Sequence, residues 1–340
     1  MRRLPALAVT LPQFRAETGP AVAACLDAHR LGFAGAFVFD HLWPLGQRDR
    51  PAAEGWTLLA ALAGAVGAEG SGGLGSSPPV GGGSGGLKER SGSPPVDRGS
   101  AGGGTPAPFR LGTLVTRAGL RPAALVARMA ATVGQAAGAP PIVGVGRGDL
   151  GNRDENLAFG LPFPDADGRT RALEATVAAL RGPLAGRPPP TVWVGGTGAA
   201  ARALAGRLAD AWNGWGLTPD ELAAGLTDAR RAAEAAGRDP AALQATWGGQ
   251  VLVAGDAAEA ATRLDRWAAA RPTAQVARIV AGDPEAVLAR LGELGDAGAT
   301  WCVLAPVGGP AEPMRALLAA AAGVPPRHPP AGNSDGAAEP

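Results

Sequence analysis

The chain has 340 residues, 46% of them hydrophobic, with 31 basic against 30 acidic side chains and a net charge of +1. That length suits one large barrel domain or two ordinary domains, and the near-neutral balance gives no basis for a nucleic-acid or acidic-membrane partner. No stretch is apolar for long enough to span a bilayer, the run after Arg2 and Arg3 is broken by Pro5 and Pro12 and makes a poor signal peptide, and Cys25 and Cys302 show no metal or disulfide spacing, so the expected location is the cytoplasm.

Taken in chain order, short apolar runs read as buried parallel strands, because strands covered on both faces lose polar alternation. The first two are Leu4–Leu11 and Gly35–Phe39. From Gly70 to Pro108 the chain is rich in Gly, Ser and Pro and offers few apolar side chains to offset the entropy of ordering, so a disordered insertion is expected. Arg110–Val115 is the third strand. Arg121–Gln135 is a helix with Pro122 in its first turn and Leu125, Val126, Met129 and Val133 on one face. Strands Pro141–Val145, Thr191–Val194 and Asp210–Asn213 follow. Thr218-Pro219-Asp220-Glu221 has the pattern of a capping box, and Asp256 with Glu259 repeats it after the strand Thr246–Val253. Asp283-Pro284 opens a last helix striped by Val287, Leu288, Leu291 and Leu294, with Gly298 suited to its left-handed stop before the strand Thr300–Ala305. Residues 324–340 read as a frayed Pro/Gly-rich tail. Eight strand–helix units predict a (β/α)8 TIM barrel over 1–323, its length near the ~250 residues usual for that fold once the insertion is set aside. An open doubly wound sheet is the alternative arrangement.

In such a barrel the chemistry sits at the C-terminal ends of the strands. After the second strand comes Phe39-Asp40-His41-Leu42-Trp43. His41 is the one histidine of three at a predicted mouth, since His29 lies in a helical stretch and His328 in the tail. An imidazole there can give or take a proton near neutral pH, with Asp40 orienting it or binding a cofactor edge; a structural Asp-His pair capping the strand is the plainer reading. Val115-Thr116 ends the third strand and can meet a ring system. Gly144, Gly146 and Gly148 allow close backbone approach, or simply a tight turn, and do not form a dinucleotide fingerprint. Gly195-Gly196-Thr197-Gly198 runs into a helical stretch, where free N–H groups without Cβ obstruction make a phosphate cradle. Trp212 and Trp215 wall a pocket or pack beneath the rim, and Arg169 and Arg171 meet an anion or solvent.

These stretches in this order resemble the luciferase-like monooxygenase superfamily, in particular its branch of actinobacterial deazaflavin-dependent oxidoreductases. The resemblance is carried by residues 31–44, 110–116, 125–138, 143–149, 155–164, 190–198, 208–215 and 281–306. It implies a TIM barrel, often a homodimer, that binds an isoalloxazine-like ring at its mouth. It implies that Asp40 and His41 face the ring, with His41 moving the proton that accompanies a hydride. Val115 and Thr116 would lie under the ring on a bulged strand with a non-prolyl cis peptide. Gly146 would stand near the cofactor, Gly195, Gly196, Thr197 and Gly198 would hold its phosphate, and Trp43 would line the substrate side. The implied cofactor is coenzyme F-420, with FMN as the alternative, and the implied partner is a small organic substrate. Hydride transfer to a deazaflavin, flavin-dependent monooxygenation and a non-catalytic cofactor-binding barrel all stay open. The chain departs from the family in the insertion before the third strand, in Ala137-Gly138-Ala139-Pro140 before the fourth, and in Arg147, which stands where some sugar-phosphate dehydrogenases of the family carry a carboxylate.

Overall fold

A computed structural model describes residues 4–44, 47–70, 108–182, 188–269, 271–307 and 312–321. The expected disorder of the Gly/Ser/Pro-rich insertion (70–108) and of the tail (324–340) concerns residues outside this set, except that Gly70 ends the helix Gly55–Gly70 and Pro108 leads into the third strand. Among the described residues nine strands form: β1 Ala6–Thr10, β2 Gly35–Val38, β3 Arg110–Arg117, β4 Ile142–Gly146, β5 Thr191–Gly195, β6 Ala211–Trp215, β7 Gln244–Val253, β8 Val280–Gly282 and β9 Ala299–Pro306. The order β6-β5-β4-β3-β2-β1-β9-β7 is parallel throughout, and pairing of β7 with β6 closes the barrel. The eight expected strands are the eight staves. The ninth, β8, extends the sheet from the far end of β7, with Val251–Val253 against Val280–Gly282. Three residues are too few to show a period in sequence.

The helices are α1 Gly19–Arg30, α2 Gly55–Gly70, α3 Ala123–Ala137, α4 Arg153–Ala158, α5 Ala166–Arg181, α6 Ala199–Leu208, α7 Pro219–Ala235, α8 Ala257–Ala268, α9 Thr273–Val276, α10 Pro284–Asp296 and α11 Glu312–Ala321. Their starts follow the capping chemistry of the sequence. Thr218 Oγ1 accepts from Glu221 N at 3.3 Å while Thr218 N donates to Glu221 Oε2 at 2.8 Å, a complete capping box. Asp256 caps α8 through Glu259 N, but the Glu259 carboxylate turns to Gly255 N instead of Asp256 N. Asp283 caps α10 through Ala286 N. Gly298, at φ +106°, supplies the positive φ after α10.

Two expectations for α3 need correction. Pro122 is the N-cap, at ψ 136°, and the helix begins one residue after it. Leu125 is 46% exposed, and the buried stripe is Val126, Ala127, Ala130 and Val133. The reason is the close approach of α3 to α2 and α5, which favours alanine where size alone pointed to leucine.

Inside the barrel, Phe37 stacks on Trp193 at 5.2 Å, and the Trp301 ring meets Trp193 edge-on at 5.7 Å. With Ala8, Leu114, Ile142, Ala211 and Val303 they plug the barrel below its mouth. A larger apolar layer lies between the strands and the helices and contains both cysteines, fully buried. Burial pushes the Cys25 thiol up to about 12, as expected of an inert core thiol.

The seam between β6 and α7 is packed without slack. A Cβ on Gly225 would come within 2.2 Å of the Trp212 ring, whereas one on exposed Gly64 in α2 would meet nothing within 4 Å. Thermal unfolding is therefore expected to show Gly225→Ala destabilised by about 1–3 kcal/mol through overpacking. Gly64→Ala is expected to gain about 0.5–1 kcal/mol from helix propensity.

Candidate functional site

The C-terminal ends of the strands open into a cavity of about 1770 Å³. Its position follows from the plug of aromatic rings, which leaves the upper barrel free. At the end of β2, Gln13 acts as a clamp. Its Nε2 donates to Phe39 O and Ala53 O, both at 2.8 Å, and its Oε1 accepts from Phe39 N at 2.8 Å. This fixes the turn that carries Asp40 and His41.

Asp40 is 1% exposed and does not line the cavity. Its carboxylate accepts from Thr116 Oγ1 at 2.6 Å, from Arg117 N at 3.1 Å and from both terminal nitrogens of Arg121 at 2.8 and 3.0 Å. Trp56 Nε1 donates to Thr116 Oγ1 at 2.9 Å, so Thr116 is also buried behind the wall. Arg121 reaches Glu54 as well. Burial opposes its charge, yet Asp40 and Glu54 together hold its guanidinium above the ordinary value.

His41 does line the cavity, and its Nδ1 lies 3.2 Å from Glu155 Oε2. Glu155, in α4, is buried and also accepts from Leu42 N and, at 3.3 Å, from Trp43 N. Arg117 Nη1 lies 3.1 Å from the same carboxylate and donates to Asn156 Oδ1 at 3.0 Å, while Arg117 Nε donates to Asp40 O. Burial pushes the Glu155 carboxyl up, but the bonds from His41 and Leu42 and the charge of Arg117 outweigh it and hold the group below the usual carboxylate range. Trp43 is turned away from the cavity, with its ring 5.6 Å from Phe159 and Arg48 over it at 5.7 Å.

Val115 faces the cavity from β3. The peptide Leu114–Val115 is cis, and the register with β4 slips between Thr113 and Thr116, where the resemblance implied a bulged strand. A Cβ on Gly144, Gly146 or Gly195 would come within 2.9, 2.6 and 2.8 Å of the Val115 methyls. These glycines therefore make room for a valine; at Gly144 and Gly146 the close approach read from sequence is an approach of protein to protein. Gly146, Gly195, Gly196, Thr197 and Gly198 all line the cavity. Within the expected cradle Gly196 is already committed. Its N–H donates to Asn213 O at 3.1 Å, and its carbonyl accepts from Trp212 Nε1 at 2.8 Å. Gly198 is the N-cap of α6; its carbonyl accepts from Ala201 N at 3.1 Å and Arg202 N at 3.2 Å, which leaves the N–H groups before Ala201 without an intrahelical acceptor. Arg147 follows β4, the neighbour of β5 in the sheet, and forms no ion pair among the described residues. Trp212 is buried, and Trp215 is 41% exposed on the cavity wall against Phe39.

Sequence reasoning did not single out Glu155, Arg117, Arg121, Glu54 or Gln13. Glu155 lies 114 residues from His41, and nothing local joins them. Among the described residues no group of His, Cys, Asp and Glu is arranged to hold a metal, and no helix is long and apolar enough to cross a membrane.

The sequence profile of the luciferase-like monooxygenase family matches residues 107–297, more than half of the chain. The phthiodiolone/phenolphthiodiolone dimycocerosates ketoreductase of Mycobacterium kansasii is 32% identical over 163 residues, which cover 41% of this chain and 44% of that protein. The protein of the same description from Mycobacterium tuberculosis (strain ATCC 25618 / H37Rv) is 32% identical over 163 residues, covering 41% of this chain and 42% of its own length. The chain thus matches under half the length of these curated relatives. Among solved structures, an F420-dependent secondary alcohol dehydrogenase in complex with an F420-acetone adduct superposes with a TM-score of 0.70 at 16% identity, covering 93% of this chain and 97% of that one. EDTA monooxygenase from Chelativorans superposes at 0.64 with 14% identity, covering 93% and 92%. At such identities the likeness is one of fold.

The position of Glu155 sets a pH dependence. A carboxylate held below its unfolded value of about 4.5 contributes stability that is fully present above that value and is lost as pH falls through the lower folded value. Comparing urea unfolding of the protein with that of Glu155→Gln, the difference in midpoint is expected to be largest above about pH 5 and to shrink steadily below pH 4.5. A difference that is flat with pH contradicts the ionised buried carboxylate.

Proposed function

The chain belongs to the luciferase-like monooxygenase family, and on that premise we propose that it is a cytoplasmic oxidoreductase that moves a hydride between a small organic alcohol or ketone and a deazaflavin of the coenzyme F-420 type. The observation that carries this reading is the pairing of His41 with the buried carboxylate of Glu155 at the cavity wall. Because Glu155 accepts, Nδ1 carries the hydrogen and Nε2 is the ring nitrogen that gives or takes a proton. A carbonyl being reduced by hydride needs a proton at its oxygen, and His41 Nε2 supplies it; the reverse reaction needs the proton removed from the alcohol.

The cavity fits a flavin-like group on its own terms. Val115 gives an apolar surface for a flat ring system. The N-terminus of α6, entered through Gly198 without a Cβ, offers N–H groups for a phosphate, and Arg147 adds a positive charge elsewhere on the cavity wall. Asp40 and Thr116 serve as positioning residues, holding the end of β3 from behind. When bound, the deazaflavin supplies a carbon hydride donor and acceptor; the protein supplies orientation, the proton and exclusion of water. The secondary alcohol dehydrogenase and the ketoreductases support carbonyl–alcohol chemistry, while the likeness to EDTA monooxygenase keeps FMN as the alternative cofactor. A homodimer is the expected assembly.

Parallel fluorescence titrations with coenzyme F-420 and FMN test the cofactor. The deazaflavin is expected to bind at least roughly tenfold more tightly, a difference of about 1.4 kcal/mol; preference for FMN moves the chain to flavin-dependent monooxygenation, and a folded protein that binds neither is a barrel without this chemistry. His41→Ala is expected to lower turnover by about 10²–10⁴-fold while cofactor affinity changes little. Full turnover by that variant removes His41 from the proton transfer.

A further inference from the structure

At the corner of the mouth bounded by the ends of β3 and β4 and the start of α5, three arginines gather, and among the described residues only Arg117 has an ion pair, with Glu155. Arg169 is 8% exposed. Its Nη1 donates to Pro164 O at 2.7 Å and its guanidinium lies 4.6 Å over the Phe163 ring, but its Nε is buried with no acceptor, and no carboxylate stands within ion-pair distance among the described residues. Arg117 is 5% exposed, and its Nη2 is likewise buried without a partner, although Nη1 and Nε are fully used. Arg147, half-buried beside them, has no ion pair. Of the nearby acids, Asp149 acts on Arg117 only at longer range, and neither Asp149 nor Asp165 is within ion-pair distance of these arginines among the described residues. Asp149 accepts from Gly151 N, Asp165 from Gly168 N, and Glu155 serves His41, Leu42 and Arg117.

A buried guanidinium without a counter-charge is costly, and buried N–H donors without acceptors are rare. Both conditions occur here at one place, around a recess of about 20 Å³ lined by Arg117, Arg147, Arg169, Asn152 and Asn156. The recess shares all three arginines with the main cavity. Its volume admits a single oxygen atom, not a whole phosphate. We propose that this corner is an oxyanion subsite: a carboxylate or phosphoryl group carried by a ligand in the main cavity sends one oxygen into the recess, to Arg117 Nη2 and Arg169 Nε, and leaves its other oxygens toward Arg147. The subsite is separate from the N-terminus of α6 after β5, so the cavity receives two anionic groups, one on each side. The second is either the far end of the cofactor or a group on the substrate.

Selenate soaked into crystals of the full chain, located by its anomalous scattering, tests this without a variant and without cofactor. A peak touching Arg117 and Arg169 is expected; a peak confined to the start of α6, with only water in the recess, overturns the subsite. In solution, inorganic phosphate is expected to raise the unfolding temperature of the protein, and Arg169→Gln, checked for folding by circular dichroism, is expected to need roughly tenfold or more phosphate for the same effect, as for loss of a charge-assisted hydrogen bond. An unchanged phosphate response in a folded variant also overturns it. If the variant loses phosphate response and coenzyme F-420 affinity together, the anionic group belongs to the cofactor; if cofactor affinity is retained, it belongs to the substrate.

Discussion

The mouth of this barrel is organised by one buried carboxylate. Asp40 is almost wholly removed from water, and each of its oxygens is satisfied by Arg121, Thr116 or the backbone of Arg117. Leaving such a charge without its partner typically costs about 3–5 kcal/mol, so the geometry around it has little freedom. The order passes outward by contact. Asp40 holds the end of β3 and, through its carbonyl, the Arg117 side chain; Arg117 meets Glu155; Glu155 takes His41 Nδ1. The members of this series that line the cavity are Arg117 and His41. A histidine on a strand-end loop would otherwise sample several rotamers and both tautomers. Here its reactive nitrogen is chosen by Glu155, a carboxylate that does not line the cavity.

The fold was legible because its signals are local and repeated. Eight apolar runs marked the staves, and Thr218, Asp256 and Asp283 marked helix starts through chemistry that needs only the next three residues. The strand β8 escaped because it is three residues long, and the α3 stripe was misread because alanine packs where helices come close. The site was legible in part. The order of the strand ends brought His41, Val115, Gly146 and the Gly195–Gly198 loop to one cavity. Asp40, Thr116 and Trp43 have the residue types of ligand contacts but point away from it, since an apolar barrel must also bury the polar groups that tie its strand ends together. Glu155 was invisible because its partner His41 stands 114 residues away, and only the folded barrel brings α4 to the end of β2.

The glycines carry a similar lesson. Gly144, Gly146 and Gly195 look in sequence like openings for a ligand, yet the space they leave is filled by Val115, which is pushed forward as the apolar surface of the cavity. Gly198 is different, because its freedom from a Cβ meets nothing and exposes the start of α6. The cavity is thus apolar beneath, proton-active at His41, and rich in unpaired or half-paired arginine at its β3–β4 side.

The most direct test of the series from Asp40 to His41 is the tautomer of His41, read by long-range nitrogen–proton NMR of the full chain. With only three histidines in the sequence, one of them His41, assignment by single substitution is simple. The account predicts that neutral His41 carries its hydrogen on Nδ1 and that Glu155→Gln abolishes this preference. A His41 that carries its hydrogen on Nε2, or averages as free imidazole does in the intact protein, would contradict it.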